Sequence, residues 1–384
     1  MPEAACQRHG FGFDEAMKTP DFAPIPAGLP ATVPFTGPET LARRGGVPIR
    51  ARLGANENGF GLLPSVRAAM QAALDEVWCY GDPDNFDLRA AIAARHGLSP
   101  DQVMPGEGVD GLLGLAVRLF IAPGDAVVTS AGAYPTFNYH IAGFGGVLHT
   151  VPYRDDAEDP EALLARARAV GAKLVYLANP DNPMASWLPR ERIEAMAAAL
   201  PENCLLVLDE AYADFLPPDA LPRIAADHPA VLRFRTFSKL YGMAGARVGY
   251  VTGAAQMIAG FDRIRNHFGL NRVAQAGALA ALADRAGAAA MIATIARARD
   301  RLAGIGRDNG LVPLVSATNF VTMDCGADGD FARRVVAALL VRGVFIRMPG
   351  VAPLDRCIRV SCGPDAALDL FAEALPGALA AARG

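Results

Sequence analysis

A chain of 384 residues with 52% hydrophobic and 20% charged residues can bury a sizeable core and is not a disordered polymer. The length allows roughly two or three domains, or one large domain with a satellite. A net charge of −4 gives no electrostatic reason to expect nucleic acid or an anionic membrane as a partner.

No uninterrupted apolar run approaches the roughly 18 residues that a membrane-crossing helix needs. Met1 to Phe22 mixes Glu3, Arg8, Asp14, Glu15 and Lys18 without an apolar centre, so it does not read as a secretory signal. The cysteines Cys6, Cys79, Cys204, Cys325, Cys357 and Cys362 are scattered, with no C-x-x-C pair. Neither a disulfide framework nor a zinc site is expected, no other metal site is suggested, and a reducing, cytoplasmic setting follows.

Residues 1–50 are rich in proline and read as an extended arm lying on the body of the protein or on a partner subunit. Leu53 to Gly61 is turn-rich. Helices are expected from Pro64 to Val77 and from Asp87 to His96, with the loop Tyr80-Gly81-Asp82-Pro83-Asp84 between them. Gly106-Glu107-Gly108-Val109-Asp110-Gly111 leads into an apolar helix ending at Phe120, a helix entry whose free N–H groups suit an anion. Strands and helices then alternate. Ala126–Thr129, Gly146–Val151, Lys173–Ala178, Cys204–Leu208, Val231–Arg235 and Val248–Val251 read as strands, and Tyr134 to His140 reads as an aromatic turn.

Short apolar strands separated by helices predict an α/β fold: a large domain with a mostly parallel sheet flanked by helices, residues 51–270. From 271 to 384 an alanine-rich helical region is followed by mixed strands and helices, which predicts a smaller α+β domain. Ligands of such sheets lie at the carboxyl ends of the strands. Polar residues follow three of them here: Asn179 to Asn182, Asp209 to Tyr212, and Thr236 to Lys239.

Those groups carry the chemistry. Lys239 follows Thr236 and Ser238, and Arg247 lies eight positions on. A lysine kept partly neutral is a nucleophile towards a carbonyl, while hydroxyls and a guanidinium hold phosphate. Together they suggest a Schiff-base lysine beside a phosphate-bearing aldehyde cofactor, pyridoxal 5′-phosphate. Asp209 after a buried strand is either a helix-capping aspartate or the partner of a protonated ring nitrogen. Asn182 and Tyr212 are either turn and core residues or hydrogen-bond partners of a ring hydroxyl. Phe137 is either core or a ring that stacks on the cofactor.

Singly these residues leave the alternatives open; their order and spacing together carry a resemblance. Asp209-Glu210-Ala211-Tyr212, then Ser238-Lys239, then Arg247, preceded by Asn179-Pro180-Asp181-Asn182-Pro183, resembles the fold-type I pyridoxal-phosphate aminotransferases of class I and II. Within them the resemblance is to the histidinol-phosphate aminotransferase-like branch. The resemblance runs from about Leu53 to Gly363. It implies Lys239 as the Schiff-base lysine and proton carrier, Asp209 on the pyridinium nitrogen, Tyr212 and Asn182 on the phenolic oxygen, and Phe137 stacked on the ring. Val109 and Asp110, with Thr236, Ser238 and Arg247, would form the phosphate cup. Tyr80 would reach the phosphate of a neighbouring subunit in a homodimer. Arg359, Arg347 and Asn56 would face the substrate, an amino donor exchanging with a 2-oxo acid such as 2-oxoglutarate in ping-pong fashion.

A decarboxylase or lyase on the same scaffold, of the threonine-phosphate decarboxylase kind, keeps the same lysine and aspartate and is the alternative. A non-catalytic cofactor-binding module is a remoter one. Two departures from the family pattern bear on the substrate. Met184-Ala185 stands where Thr-Gly is usual, next to the expected substrate side of the cofactor. The arm Leu29 to Phe35 also differs from the usual one.

Overall fold

The computed structural model describes residues 19–31 and 35–384, so part of the N-terminal arm lies outside the described residues. The described part of the arm is not simply extended. It carries two short helices, α1 (Pro24–Ala27) and α2 (Pro38–Gly45), each beginning on a proline. Proline suits a first helical turn, where its missing N–H is not needed. The chain then passes through a short strand β1 (Ala51–Arg52) and two helices, α3 (Pro64–Ala73) and α4 (Phe86–His96).

A seven-stranded sheet follows. Its strands are β2 (Val103–Gly106), β3 (Ala126–Ser130), β4 (Val147–Val151), β5 (Leu174–Ala178), β6 (Leu205–Asp209), β7 (Val231–Thr236) and β8 (Gly249–Thr252). The spatial order is β2-β8-β7-β6-β5-β3-β4. Only β8 runs against its neighbours; the other adjacent pairs are parallel. Every residue of β5 and β6 is buried, because both faces of the sheet are covered. Helices α5 (Gly108–Phe120), α6 (Pro135–Gly143) and α9 (Ala255–Asp262) cover one face. Helices α7 (Pro160–Val170) and α8 (Arg190–Ala198) cover the other.

The stretch after Tyr134 is helix α6 rather than the expected aromatic turn. Pro135 sits in its first turn, and Phe137 with Ile141, four residues apart, form its buried stripe. Strand β2 was not foreseen; Pro105 within it masked a run that is otherwise apolar.

Beyond the sheet, α10 (Arg272–Ala283) packs on α3 and α4. Asp284 breaks the helical region and caps the next helix, α11 (Arg285–Asp308), through Gly287 N–H. The last layer is an antiparallel sheet in the order β12-β10-β9, with β9 (Val312–Pro313), β10 (Phe320–Asp324) and β12 (Cys357–Ser361). Helices α12 (Gly329–Leu340) and α13 (Asp365–Arg383) pack with it, and β11 (Val344–Phe345) pairs with β1. Polar ties join this layer to the large sheet. Thr322 Oγ1 donates to the Pro183 carbonyl at 2.6 Å, and Arg356 bridges Asp156 and Asp324, each at 2.7 Å. The cavity described next lies in this seam, at the carboxyl ends of β5, β6 and β7.

Candidate active site

A cavity of about 410 Å³ is lined by residues from the strand ends, the start of α5, the last layer and the arm. Lys239 lies on the loop after β7, half-buried, its Nζ 5.5 Å from the centre of the Tyr212 ring. Asp209, the last residue of β6, also lines the cavity and is 5% exposed. Its Oδ2 accepts from Tyr176 Oη at 2.7 Å and its Oδ1 from the Ala211 N–H at 2.9 Å. Burial pushes this carboxyl up to about 6, although both hydrogen bonds favour its ionised form. A buried carboxylate of this kind is ready to pair with a cationic ring nitrogen. The next residue, Glu210, turns to the other face and binds Arg233 at 2.6 Å and Arg235 at 3.0 Å, which fixes the strand end.

Tyr212 lines the cavity, and its hydroxyl accepts from Asn56 Nδ2 at 3.0 Å. The Tyr212 O–H is thereby left to donate onward. Asn56 is buried in the left-handed region, at φ 52°, and Ser361 Oγ clamps its backbone N–H and its side-chain oxygen. Asn182 also lines the cavity, and its amide oxygen accepts from Arg359 Nη1.

An anion site lies at the start of α5. The first N–H groups of a helix have no partner inside it, so those of Val109 and Asp110 are available to an anion. Arg247 approaches them from the loop after Lys239. Its guanidinium is so close to Gly108 that a Cβ there would lie 2.5 Å from Nη2. Ser238 and Thr236 complete this end. The Ser238 N–H donates to Thr236 Oγ1 at 3.1 Å, and that hydroxyl donates to Ser238 Oγ at 2.9 Å.

The same cavity is lined by Arg347 and Arg359, whose backbones exchange hydrogen bonds at 3.2 and 2.7 Å. Arg359 donates Nη2 to the Gly54 carbonyl at 3.2 Å and lies over the Phe320 ring at 5.4 Å. Burial lowers its pKa to about 10, and the neighbouring Arg347 acts in the same direction. Arg347 is likewise lowered by burial; it lies 5.0 Å from Phe35 and 5.6 Å from Phe345. Nε of each arginine is buried without a partner. Two desolvated cations with unused donors make a receptor for an anionic group.

Two expectations do not fit this geometry. Phe137 is fully buried, does not line the cavity, and stacks on Tyr176 with ring centres 4.5 Å apart. The aromatic ring of this segment that lines the cavity is Tyr134, just before α6, whose hydroxyl donates to Asp110 at 2.8 Å. Reading a helix from Pro135 would have found it, since residue 137 then falls on the sheet-facing stripe and residue 134 at the strand end. Met184 is also away from the cavity. It is fully buried with Leu354 and Cys357, against Tyr153 and Leu314, in the seam between the two layers. Tyr80, expected at the phosphate site of a neighbouring subunit, is 76% exposed outside this chain's own cavity, its ring 4.6 Å from Phe268. Tyr176 and Phe35 line the cavity without having been singled out from the sequence.

The sequence model of the aminotransferase class I and II family matches residues 49–375. A histidinol-phosphate aminotransferase of Ralstonia nicotianae is 38% identical over 320 residues, 81% of this chain and 84% of the relative. That of Sphingopyxis alaskensis is 36% identical over 376 residues, 94% and 99% of the two chains. A solved histidinol-phosphate aminotransferase of Sinorhizobium meliloti, in complex with pyridoxal 5′-phosphate, is 54% identical with a TM-score of 0.92, over 95% of this chain and 99% of that one. Thermus thermophilus aspartate aminotransferase, 24% identical with a TM-score of 0.75, shares the fold. With a family match across most of its length, and a lysine, an aspartate and an anion site gathered at the strand ends, the chain belongs to the class I and II aminotransferases.

Proposed function

We propose that this aminotransferase uses pyridoxal 5′-phosphate to move the amino group of histidinol phosphate, or of a closely similar amino donor, to a 2-oxo acid such as 2-oxoglutarate. The observation that carries the substrate reading is the pair of desolvated arginines, Arg347 and Arg359, each with an unpartnered Nε. They line the same cavity as the α5 anion site, with the Phe35 ring 5.0 Å from Arg347 and Tyr134 also on the cavity wall. A donor with an anionic tail and a flat ring suits that wall. The names of the relatives point the same way.

The residues present fit the cofactor. Val109 and Asp110 N–H groups, Thr236, Ser238 and Arg247 would hold its phosphate, and Tyr134 would cover one ring face. Tyr212, oriented by Asn56, and Asn182 would hydrogen-bond its ring hydroxyl. When bound, the cofactor supplies an electron sink for a developing carbanion. Asp209 would keep the ring nitrogen protonated, which the low local dielectric would make effective. Lys239 would carry the proton between the substrate Cα and C4′ of the bound cofactor. Arg359 orients the carboxylate of the 2-oxo acid by a two-pronged contact. Donor and acceptor use the same site in turn, which gives ping-pong kinetics.

We also read the protein as a cytoplasmic homodimer in which Tyr80 reaches the phosphate site of the partner subunit. Trp78, 85% exposed, together with exposed Val77, Tyr80, Phe86 and Phe268, supports an apolar docking face there. The five cysteines among the described residues are all free, which suits a reducing compartment. Sedimentation equilibrium that gives a monomer at micromolar concentration would reject the dimer.

The substrate reading is tested by a donor screen with purified enzyme and 2-oxoglutarate, comparing histidinol phosphate, histidinol, aromatic amino acids and small aliphatic amino acids. Histidinol phosphate should give the highest kcat/KM, and loss of its phosphate should lower kcat/KM by about 10- to 100-fold, the worth of one lost charge-assisted contact. Preference for an uncharged or aliphatic donor, or release of carbon dioxide from a phosphorylated amino acid, would overturn it.

A further inference from the structure

The residue that ties Phe137 to the chemistry is Tyr176. Residues β5 Ala178 and β6 Asp209 are paired in register, and Tyr176 is paired with Val207. Side chains two residues apart on a strand share a face, so Tyr176 is the diagonal neighbour of Asp209 across the two strands. Its hydroxyl spans that diagonal and donates to Asp209 Oδ2 at 2.7 Å. Tyr176 is fully buried, and its ring is held by the Phe137 ring, 4.5 Å away and inclined by 22°. The remaining Asp209 oxygen receives the Ala211 N–H, so the carboxyl group is fixed at both ends.

We propose that Tyr176 is a positioning residue for the reaction: its phenol O–H holds the Asp209 carboxylate ionised and fixed in aim towards the cavity, and Phe137 holds Tyr176 in place. The inference rests on the reading of this cavity as the pyridoxal-phosphate site. An apolar residue at position 176 would fill the same core volume but would leave a buried carboxylate with one donor fewer. Among the charged groups facing Asp209, Lys239 favours its ionised form and Asp110 opposes it; Glu158, also buried, lies near enough to be raised by Asp209 in turn. Tyr176 therefore acts with Lys239 against burial and Asp110. With the O–H gone, a proton shared between Asp209 and the ring nitrogen moves towards Asp209. Asp209 would then draw less electron density through the ring, and Lys239, joined to the cofactor, would hold its proton more tightly.

The test is Tyr176→Phe, which removes one oxygen and keeps the ring. In the cofactor-loaded protein, the pH midpoint of the visible absorption change should rise by about half a unit to one unit, and cofactor affinity should fall by about threefold to tenfold. In the cofactor-free protein, urea unfolding between pH 5 and 8 should show coupling between Tyr176→Phe and Asp209→Asn, each losing most of its effect in the presence of the other. A merely structural tyrosine would lower stability without moving the midpoint and without coupling to Asp209. An unchanged midpoint in a protein that binds cofactor normally would overturn the inference and leave the proposed function standing. Failure of the wild-type protein to bind pyridoxal phosphate would instead reject the proposed function, and the cofactor-free coupling would still decide whether Tyr176 governs Asp209. Should Tyr176→Phe not fold, Phe137→Leu, which keeps the O–H but loosens the ring, must move the midpoint in the same direction by a smaller amount; no movement would count against the proposal.

Discussion

Gly108→Ala would test the anion end of the cavity without replacing any side chain that lines it. Gly108 opens α5 at φ +78°, a conformation that costs an L-residue roughly 1–2 kcal/mol. A Cβ there would also lie 2.5 Å from Arg247 Nη2 and 2.9 Å from Arg247 Cζ. The guanidinium is the far end of a flexible side chain, 47% exposed, so it can retreat. In retreating it leaves the helix start and takes with it one charge-assisted contact to a bound phosphate, worth about 1.5–3 kcal/mol. The dissociation constant for pyridoxal phosphate, measured by equilibrium dialysis or fluorescence, should rise by about 10- to 100-fold. Stability of the cofactor-free protein in urea should fall by only about 1–2 kcal/mol.

Gly111→Ala is the control three residues on. Its Cβ would meet only the Glu107 Cβ, at 3.4 Å, inside an ordinary helix. It should leave cofactor affinity unchanged and raise stability by about 0.5–1 kcal/mol. If Gly108→Ala binds cofactor within about twofold of wild type, the placement of Arg247 over the helix start is wrong as a phosphate contact.

Three other outcomes follow from the same geometry. Met184→Thr should destabilise the protein by about 2–3 kcal/mol in urea, because it empties an apolar seam and adds a hydroxyl there, yet leave cofactor affinity unchanged. Asp209 in the cofactor-free protein is raised from 3.8 to about 6, so the folded state binds more protons than the unfolded state between those values. Its charge therefore costs stability as pH rises through that window, and Asp209→Asn should flatten the fall in stability from pH 4 to 7 by up to about 3 kcal/mol. A wild-type slope in that variant would contradict the assignment. Arg359→Lys should raise KM for 2-oxoglutarate by about 10- to 100-fold, with a smaller fall in kcat, since an ammonium cannot reproduce the two-pronged contact.

Much of this site could be read along the chain because the strand ends could be read. Buried β5, β6 and β7 stand out as short apolar runs, and the polar residues after them, Asn182, Asp209, Tyr212, Ser238 and Lys239, fall at the cavity as a direct consequence. What could not be read depended on contacts between distant segments. Tyr134 and Phe137 exchange roles because α6 begins at Pro135, which turns residue 137 onto the sheet and leaves residue 134 at the wall. Met184 follows a motif residue in sequence, yet its side chain meets Leu354 and Cys357, some 170 residues away along the chain, a pairing no local pattern reveals. The Tyr176–Asp209 bond depends on the register of two strands, and Asn56 on Ser361 from the far end of the chain.

The central claim is that Lys239 serves an amino-group transfer. It is tested most directly by mixing cofactor-loaded enzyme with histidinol phosphate in the absence of any 2-oxo acid and identifying the cofactor by mass after denaturation. One equivalent of keto product and one of pyridoxamine phosphate per site should form with wild type, and neither at a comparable rate with Lys239→Ala. Cofactor recovered wholly as pyridoxal phosphate with every donor tested, or full turnover by Lys239→Ala, would contradict the account.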